Sequence, residues 1–284
     1  MKRMSSRFTR RHGFKAAVSA FSAGYLSAGD APELTRNIPV AAPQALSGSQ
    51  FAESVLNMDR HEREQTILDQ LVAGNLPSFL RKLVPVNLTY RTGTGNTLSA
   101  TIFVMLEYLA IGSDSDFLRI PMNLHTATAI ANQFGFMLPT RKIVDAIYDQ
   151  STCRFVPQPL PAGPQMTSTE YYRRHNEMIN KQSQELGFPL GALVSGHKKD
   201  VVLSNRLVTR PGQIAIYGWH RAIGAPIQPL STVHGAGYAD YSHGIRLVSN
   251  KAMIDGKLRP VSEILHDPKL AGILSDEGPI RLAG

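Results

Sequence analysis

The chain has one cysteine, one tryptophan and no acidic residue before Asp30. A lone cysteine, Cys153, excludes an intramolecular disulfide and any cysteine-rich zinc site. It sits in STCRF with no histidine close by in sequence, which reads as packing rather than as a nucleophile. No apolar run reaches the roughly 18 residues of a membrane span, so no stable span is expected. The most apolar stretch, 101–111, is shorter and is interrupted by Glu107. A G-x-S-x-G elbow is missing, and TGTGN at 92–96 lacks the lysine and helix of a phosphate loop, so a nucleotide role is not expected. GSDSD at 112–116 lacks the rest of a calcium loop and reads as a polar turn.

The early lack of acids concentrates charge. Lys2, Arg3, Arg7, Arg10, Arg11 and Lys15 account for most of the formal net charge of +8, and without them the remainder carries about +2. That is too little for a globally basic nucleic-acid binder. A mildly apolar, small-residue segment follows at 16–29, which together with the basic start is the layout of a secretory signal peptide over 1–30. TRRHGFK at 9–15 resembles a twin-arginine export motif, with Arg10 and Arg11 as the pair. The resemblance implies an exported protein, periplasmic or extracellular. Residues 31–50, rich in Pro, Ala, Ser and Gly, read as a flexible leader, and 51–284 as a single domain.

Hydrophobic residues at 43% against 18% charged leave ample material for a core. Apolar spacing predicts helices at 59–73, 76–83, 126–134, 139–150 and 167–186, the last opened by a Thr167/Glu170 capping box. Proline is expected in the first turn of the 139–150 helix, with Arg141 and Asp145 paired along it. Alternation predicts a hairpin of 84–91 with 98–107, and further strands at 191–195, 200–204, 213–219, 227–234 and 245–250. Short helices are expected at 261–265 and 268–274. Helices inserted between blocks of strands argue for an α+β fold, with a mixed or antiparallel sheet core in the C-terminal third and helices packed on it.

Four of the nine histidines, His197, His220, His234 and His243, fall within 47 residues, each beside glycine near a predicted strand end. Strand ends are where a rigid sheet can aim side chains at one point. Asp200 and Asp240 lie in the same loops, three residues from His197 and His243. Such pairs can orient a catalytic imidazole, hold a divalent metal such as zinc through His234, Asp240 and His243, or satisfy one another structurally. Lys199, with Lys198, and Arg246 offer a place for an anion. Tyr217, Trp219, Tyr238 and Tyr241 offer flat faces for a sugar. His125 and His175, on or near helices, read as surface or packing residues.

STVHGAGYADYSHGIRL resembles two envelope signatures in part. Ser242-His243-Gly244 and Arg246 resemble the L,D-transpeptidase motif, but Ile245 follows the glycine directly and the nucleophilic cysteine is missing. His234, Gly237, Ala239 and Asp240 resemble the zinc motif of D-Ala-D-Ala peptidases, with Ser231 and Asp240 each one place out of register. No family is assigned. The expected function is an exported hydrolase of a cell-envelope or extracellular polymer, peptidoglycan-like or polysaccharide, using His/Asp acid–base or metal-assisted attack of water. The alternative is a non-catalytic module that binds a glycan or other envelope component, and a third reading is a structural protein whose histidines are merely satisfied.

Overall fold

A computed structural model describes residues 31–281; the expected export signal at 1–30 lies outside them. The fold is α+β. Its larger sheet is antiparallel and begins with the expected hairpin, Leu83–Arg91 against Thr97–Met105. Along the first strand Val86 and Leu88 point inward while Asn87 and Thr89 face solvent, the period-2 pattern of a half-buried strand. Val248–Ile254 pairs with the hairpin's second strand, and Lys257–Pro260 and Phe136–Met137 pair with Val248–Ile254. The central sheet thus joins residues from both halves of the chain.

The second sheet orders Pro226–Ser231, Ile216–His220, Lys199–Val201 and His243–Gly244, with only the last pair parallel. Its edge strand is joined to Val248–Ile254 by three residues, 245–247, outside either strand. The Leu109 N–H donates to the Ile245 carbonyl at 2.8 Å and the Met105 N–H to that of Leu247 at 3.0 Å. The segment 243–248 is therefore the seam between the two sheets.

Helices cover these sheets. Arg60–Val72 starts at a capping box, Asp59 with Glu62. Leu124–Phe134 ends on Gly135 in the left-handed conformation, which costs glycine little. Arg141–Gln150 starts two residues later than expected, with Thr140 as its cap and Pro139 outside. Thr169–Leu186 is capped by Ser168 rather than Thr167 and stops at Gly187. The predicted 76–83 helix is a short 3-10 turn, Ser78–Arg81. Ile67, Leu71, Val86, Ile102, Ile130, Phe134 and Ile147 share one apolar core, each such burial contributing roughly 1.5–3 kcal/mol.

Residues 31–50, expected as a leader, carry contacts to the domain. Ile38 is buried, Arg81 donates to the Ile38 and Pro39 carbonyls, and a helix already starts at Gly48–Ser54. The GSDSD acids hold neighbouring turns: Asp114 accepts from the Ser78 backbone and hydroxyl, and Asp116 from those of Ser49. Cys153 packs in a small apolar cluster with Phe155, Ile179 and Val194. No helix among the described residues is long and apolar enough to cross a membrane.

Candidate functional site

The second sheet divides the predicted residues between its two faces. His243 pairs in register with Lys199, and Gly244 with Asp200. Successive strand residues point to opposite sides, so His243 and Lys199 share one face and Asp200 takes the other. Gly244 is required at this seam: a Cβ there would lie 2.6 Å from the Lys198 Cβ and 2.7 Å from the Tyr108 ring.

On the first face His243 is fully buried, and neither ring nitrogen has a hydrogen-bond partner among the described residues. Its Nε2 lies 3.9 Å from an Asp240 oxygen, too far for a hydrogen bond. Asp240 is instead filled by other donors: Oδ1 accepts from the Ser242 N–H at 2.8 Å and hydroxyl at 2.5 Å, and Oδ2 accepts from the Tyr238 hydroxyl at 3.2 Å. Burial pushes Asp240 up, but His243, the Ser242 bonds and Lys199 outweigh it and hold the carboxyl below its usual value. Burial takes His243 down to about 4 against the pull of Asp240, with Lys199, His234 and Lys198 adding to the fall. The imidazole is neutral at pH 7. His234 stacks on Tyr238 at 4.2 Å between ring centroids, 6.4 Å from the His243 ring, and both residues are half-buried.

Lys199 and the tryptophan lie beside this face, while the Lys198 Cβ sits next to Gly244 on the Asp200 side. Lys199 holds its ammonium 5.2 Å from the Trp219 ring centre. Lys198 is wholly buried and donates from Nζ to the Tyr241 carbonyl at 2.6 Å. Burial brings its ammonium down to about 7, with Arg119 adding to the effect. Trp219 has a positive φ of 56°, unusual for a large side chain, and its buried Nε1 has no acceptor. Gly218 before it has φ 108°. These two residues break the strand's alternation.

That break explains why His220 joins Tyr217 instead of opposing it. Both bond to Asp145 Oδ1, at 3.1 and 2.8 Å, and His220 stacks on Tyr148. Asp145 is thus taken from its expected partner Arg141, which pairs with Asp276. Asp200 accepts from the Tyr108 hydroxyl at 2.8 Å, and burial raises its carboxyl to about 6 despite Arg246. Arg246 lies over the Tyr108 ring and donates to the Met105 and Val194 carbonyls, pinning the seam.

His197 occupies a third location. Its Nε2 lies 2.9 Å from Glu107, whose other oxygen takes Arg119 Nε at 2.9 Å. Burial holds His197 below its ordinary value, so the neutral ring donates Nε2–H to the carboxylate and Arg119 supplies the compensating charge.

The expected single hollow is therefore three settings. His234, Asp240, His243, Lys199 and Tyr238 come together, whereas His197, Asp200 and His220 do not join them. Arg246, Trp219, Tyr241 and Tyr217 are buried, which removes them as exposed substrate platforms. His234, Asp240 and His243 do not converge as zinc ligands, and no group of three His, Cys, Asp or Glu among the described residues is placed to hold a metal ion. Of the two readings given to His175, surface or packing, the structure shows packing. The residue lies on the buried stripe of Thr169–Leu186 with Tyr172, Asn176 and Ile179, and it meets Tyr241 edge-on at 5.0 Å and Trp219 at 6.2 Å. The i, i+3, i+4, i+7 spacing from Tyr172 to Ile179 was the signal that could have decided between them.

A cleft of about 430 Å³ opens elsewhere, between Thr169–Leu186 and the 114–119 loop, with Glu107 and Arg119 on its wall. None of the predicted site residues lines it. Its buried polar groups answer one another: Arg119 bonds Glu107, Asn176 and Asn180, and Asn176 bonds the Phe117 carbonyl. Of the buried groups left without partners among the described residues, His243 has both ring nitrogens bare, and that argues for placing the site there despite the larger opening. No family profile, curated protein or solved structure matches the chain.

Proposed function

We propose that the protein is an exported hydrolase of a cell-envelope or extracellular polymer, with its acid–base centre at His243 and Asp240. The observation that carries this reading is a wholly buried imidazole with both nitrogens unpartnered, set beside an ionised carboxylate and a second, half-buried imidazole. Buried polar groups are nearly always satisfied, so such an exception calls for a role. In this scheme neutral His243 accepts the proton of the attacking water. Asp240 stabilises the imidazolium that forms. His234, outermost with Tyr238, is placed to protonate the leaving group. Peptidoglycan-like or polysaccharide substrates follow from the expected export and from the small polar and aromatic groups of the loop.

The test is turnover. The purified protein is incubated with insoluble peptidoglycan and with soluble polysaccharides, and new amino and reducing ends are counted. Product should appear with wild type and fall at least about 100-fold in His243→Ala, with the thermal midpoint kept or raised. Equal turnover in the variant overturns the assignment. A non-catalytic glycan-binding module is favoured by one observation: the cleft beside Thr169–Leu186 is far more open than His243. In that case polymer would be retained and no product formed.

A further inference from the structure

We infer that the cleft between Thr169–Leu186 and the 114–119 loop binds an N-acetylated sugar, with the acetamido carbonyl on Arg119. The inference rests on the cleft and not on the hydrolase reading of His243. Arg119 is 4% exposed and stands on the cleft wall. Its Nε is taken by Glu107 and its Nη1 by Asn176 and Asn180. Nη2 has no bond among the described residues, yet it is not sealed from solvent, and the cleft is the opening that Arg119 lines. Its two N–H groups call for an acceptor. A hydroxyl there would have nothing to donate to. Glu107 already holds Arg119, His197 and the Tyr108 N–H, and the Asn176 and Asn180 oxygens already take Arg119. A carbonyl oxygen, which only accepts, suits the place better. Four carboxylates and two arginines line the cleft, so its excess negative charge favours a neutral carbonyl over a carboxylate.

A neutral carbonyl of this kind belongs to a peptide bond or to an acetamido group. The cleft gives a peptide no backbone ladder to join. Its strand, Phe117–Arg119, pairs on one edge with Ala110–Gly112. Asn176 closes the other edge: the Arg119 N–H donates to Asn176 Oδ1 at 3.1 Å, and Asn176 Nδ2 donates to the Phe117 carbonyl at 2.9 Å. An amphipathic helix would need an apolar groove, and the helix wall here shows Glu177, Asn180, Ser183 and Gln184 instead. Those four suit a sugar. Their spacing of three and four residues puts them on one helix face, and all are half-buried or exposed. The Asn180 amide nitrogen, the Ser183 hydroxyl, the Glu177 carboxylate and the Gln184 amide have no bond among the described residues. Sugar hydroxyls both donate and accept, and so do amides and serine. Phe188, half-buried and packed as a T on Phe155 at 5.0 Å between centroids, offers apolar surface for the C–H face of a sugar ring.

The experiment is isothermal titration calorimetry of the full chain with three probes: the linear trimer of N-acetylglucosamine, cellotriose, which lacks the acetamido groups, and trialanine. Saturable heat with the N-acetylated trimer, at an affinity at least about tenfold above that of cellotriose, is the expected result, the worth of one charge-assisted bond. Gln184→Ala removes an exposed side chain that holds nothing in the fold, and should weaken trimer binding about fivefold. Arg119→Lys keeps a charge beside Glu107 but removes Nη2, and should erase the preference over cellotriose, with circular dichroism showing the variant folded. Should that variant lose its fold, Gln184→Ala and the two trimers decide alone. No saturable heat with the N-acetylated trimer, equal affinity for cellotriose, wild-type affinity in Gln184→Ala, or tighter binding of trialanine overturns the inference. Binding is read without turnover. Trimer binding by a protein that cleaves no polymer removes the hydrolase reading and leaves the cleft; cleavage without trimer binding does the reverse.

Discussion

Glu107 with His197 and Asp240 with His243 are built from the same parts. Each is a buried acid, a buried imidazole and a cation close by. In the first, the ring lies 2.9 Å from the acid and Arg119 closes the other oxygen. In the second, 3.9 Å separates them and Ser242 and Tyr238 have taken the carboxylate. The bonded pair fixes the structure through one His197 nitrogen and leaves Nδ1 without a partner among the described residues, whereas His243 at the same depth has neither nitrogen bonded and keeps both for something else. Burial and residue type do not separate the two, but their hydrogen bonds do.

The comparison breaks most visibly if the closed pair is opened. Glu107→Gln leaves Arg119 buried without its counter-charge and should cost about 3–5 kcal/mol, read as a lower urea midpoint. A smaller and opposite pair of effects follows from pH. Asp200 has its folded value raised to about 6, so it binds protons more readily folded than unfolded; the stability it contributes is present below 3.8 and is lost as pH rises through 6. His243 has its folded value lowered to about 4, so its contribution is present above 6.5 and is lost as pH falls through 4. Relative to wild type, Asp200→Asn should therefore gain up to about 3 kcal/mol as pH rises from 4 to 7, and His243→Asn a similar amount as pH falls from 6.5 to 4. Denaturant melts across that range check both slopes, and slopes of the same sign would refute the account. The smallest change is expected at Lys198. Replacing a buried ammonium by methionine should leave the unfolding free energy within about 1 kcal/mol of wild type or raise it, and a large loss would give Lys198 a structural role.

Much of the scaffold was legible because it is local. Helix stops at Gly135 and Gly187 and the hairpin alternation at Val86 and Leu88 follow from neighbours within a few residues. The error of one residue at Ser168 came from its neighbour Thr167, equally able to cap, whereas the helix expected from Pro139 starts two residues later because Thr140 carries the capping oxygen. The site was legible only in part. The 231–248 segment does hold His234, Tyr238, Asp240 and His243 together, because all four come from one loop and its following strand. The partners of the other histidines are far away in sequence. Glu107 is 90 residues from His197 and Asp145 is 75 from His220. Glu107 was visible only as a charge interrupting an apolar run, and nothing local says that such a charge is paired inside. The left-handed step at Gly218 and Trp219 redirects His220 in a way that simple alternation does not anticipate.

The most direct measurement is a pH titration of the His243 ring nitrogens by ¹⁵N NMR, with His243→Asn to assign the signals. The account predicts a neutral ring at pH 7 that begins to take up a proton only near pH 4. A ring protonated at neutral pH would make His243 the ion-pair partner of Asp240, a second closed pair like Glu107 and Arg119, and would contradict the placement of the active centre.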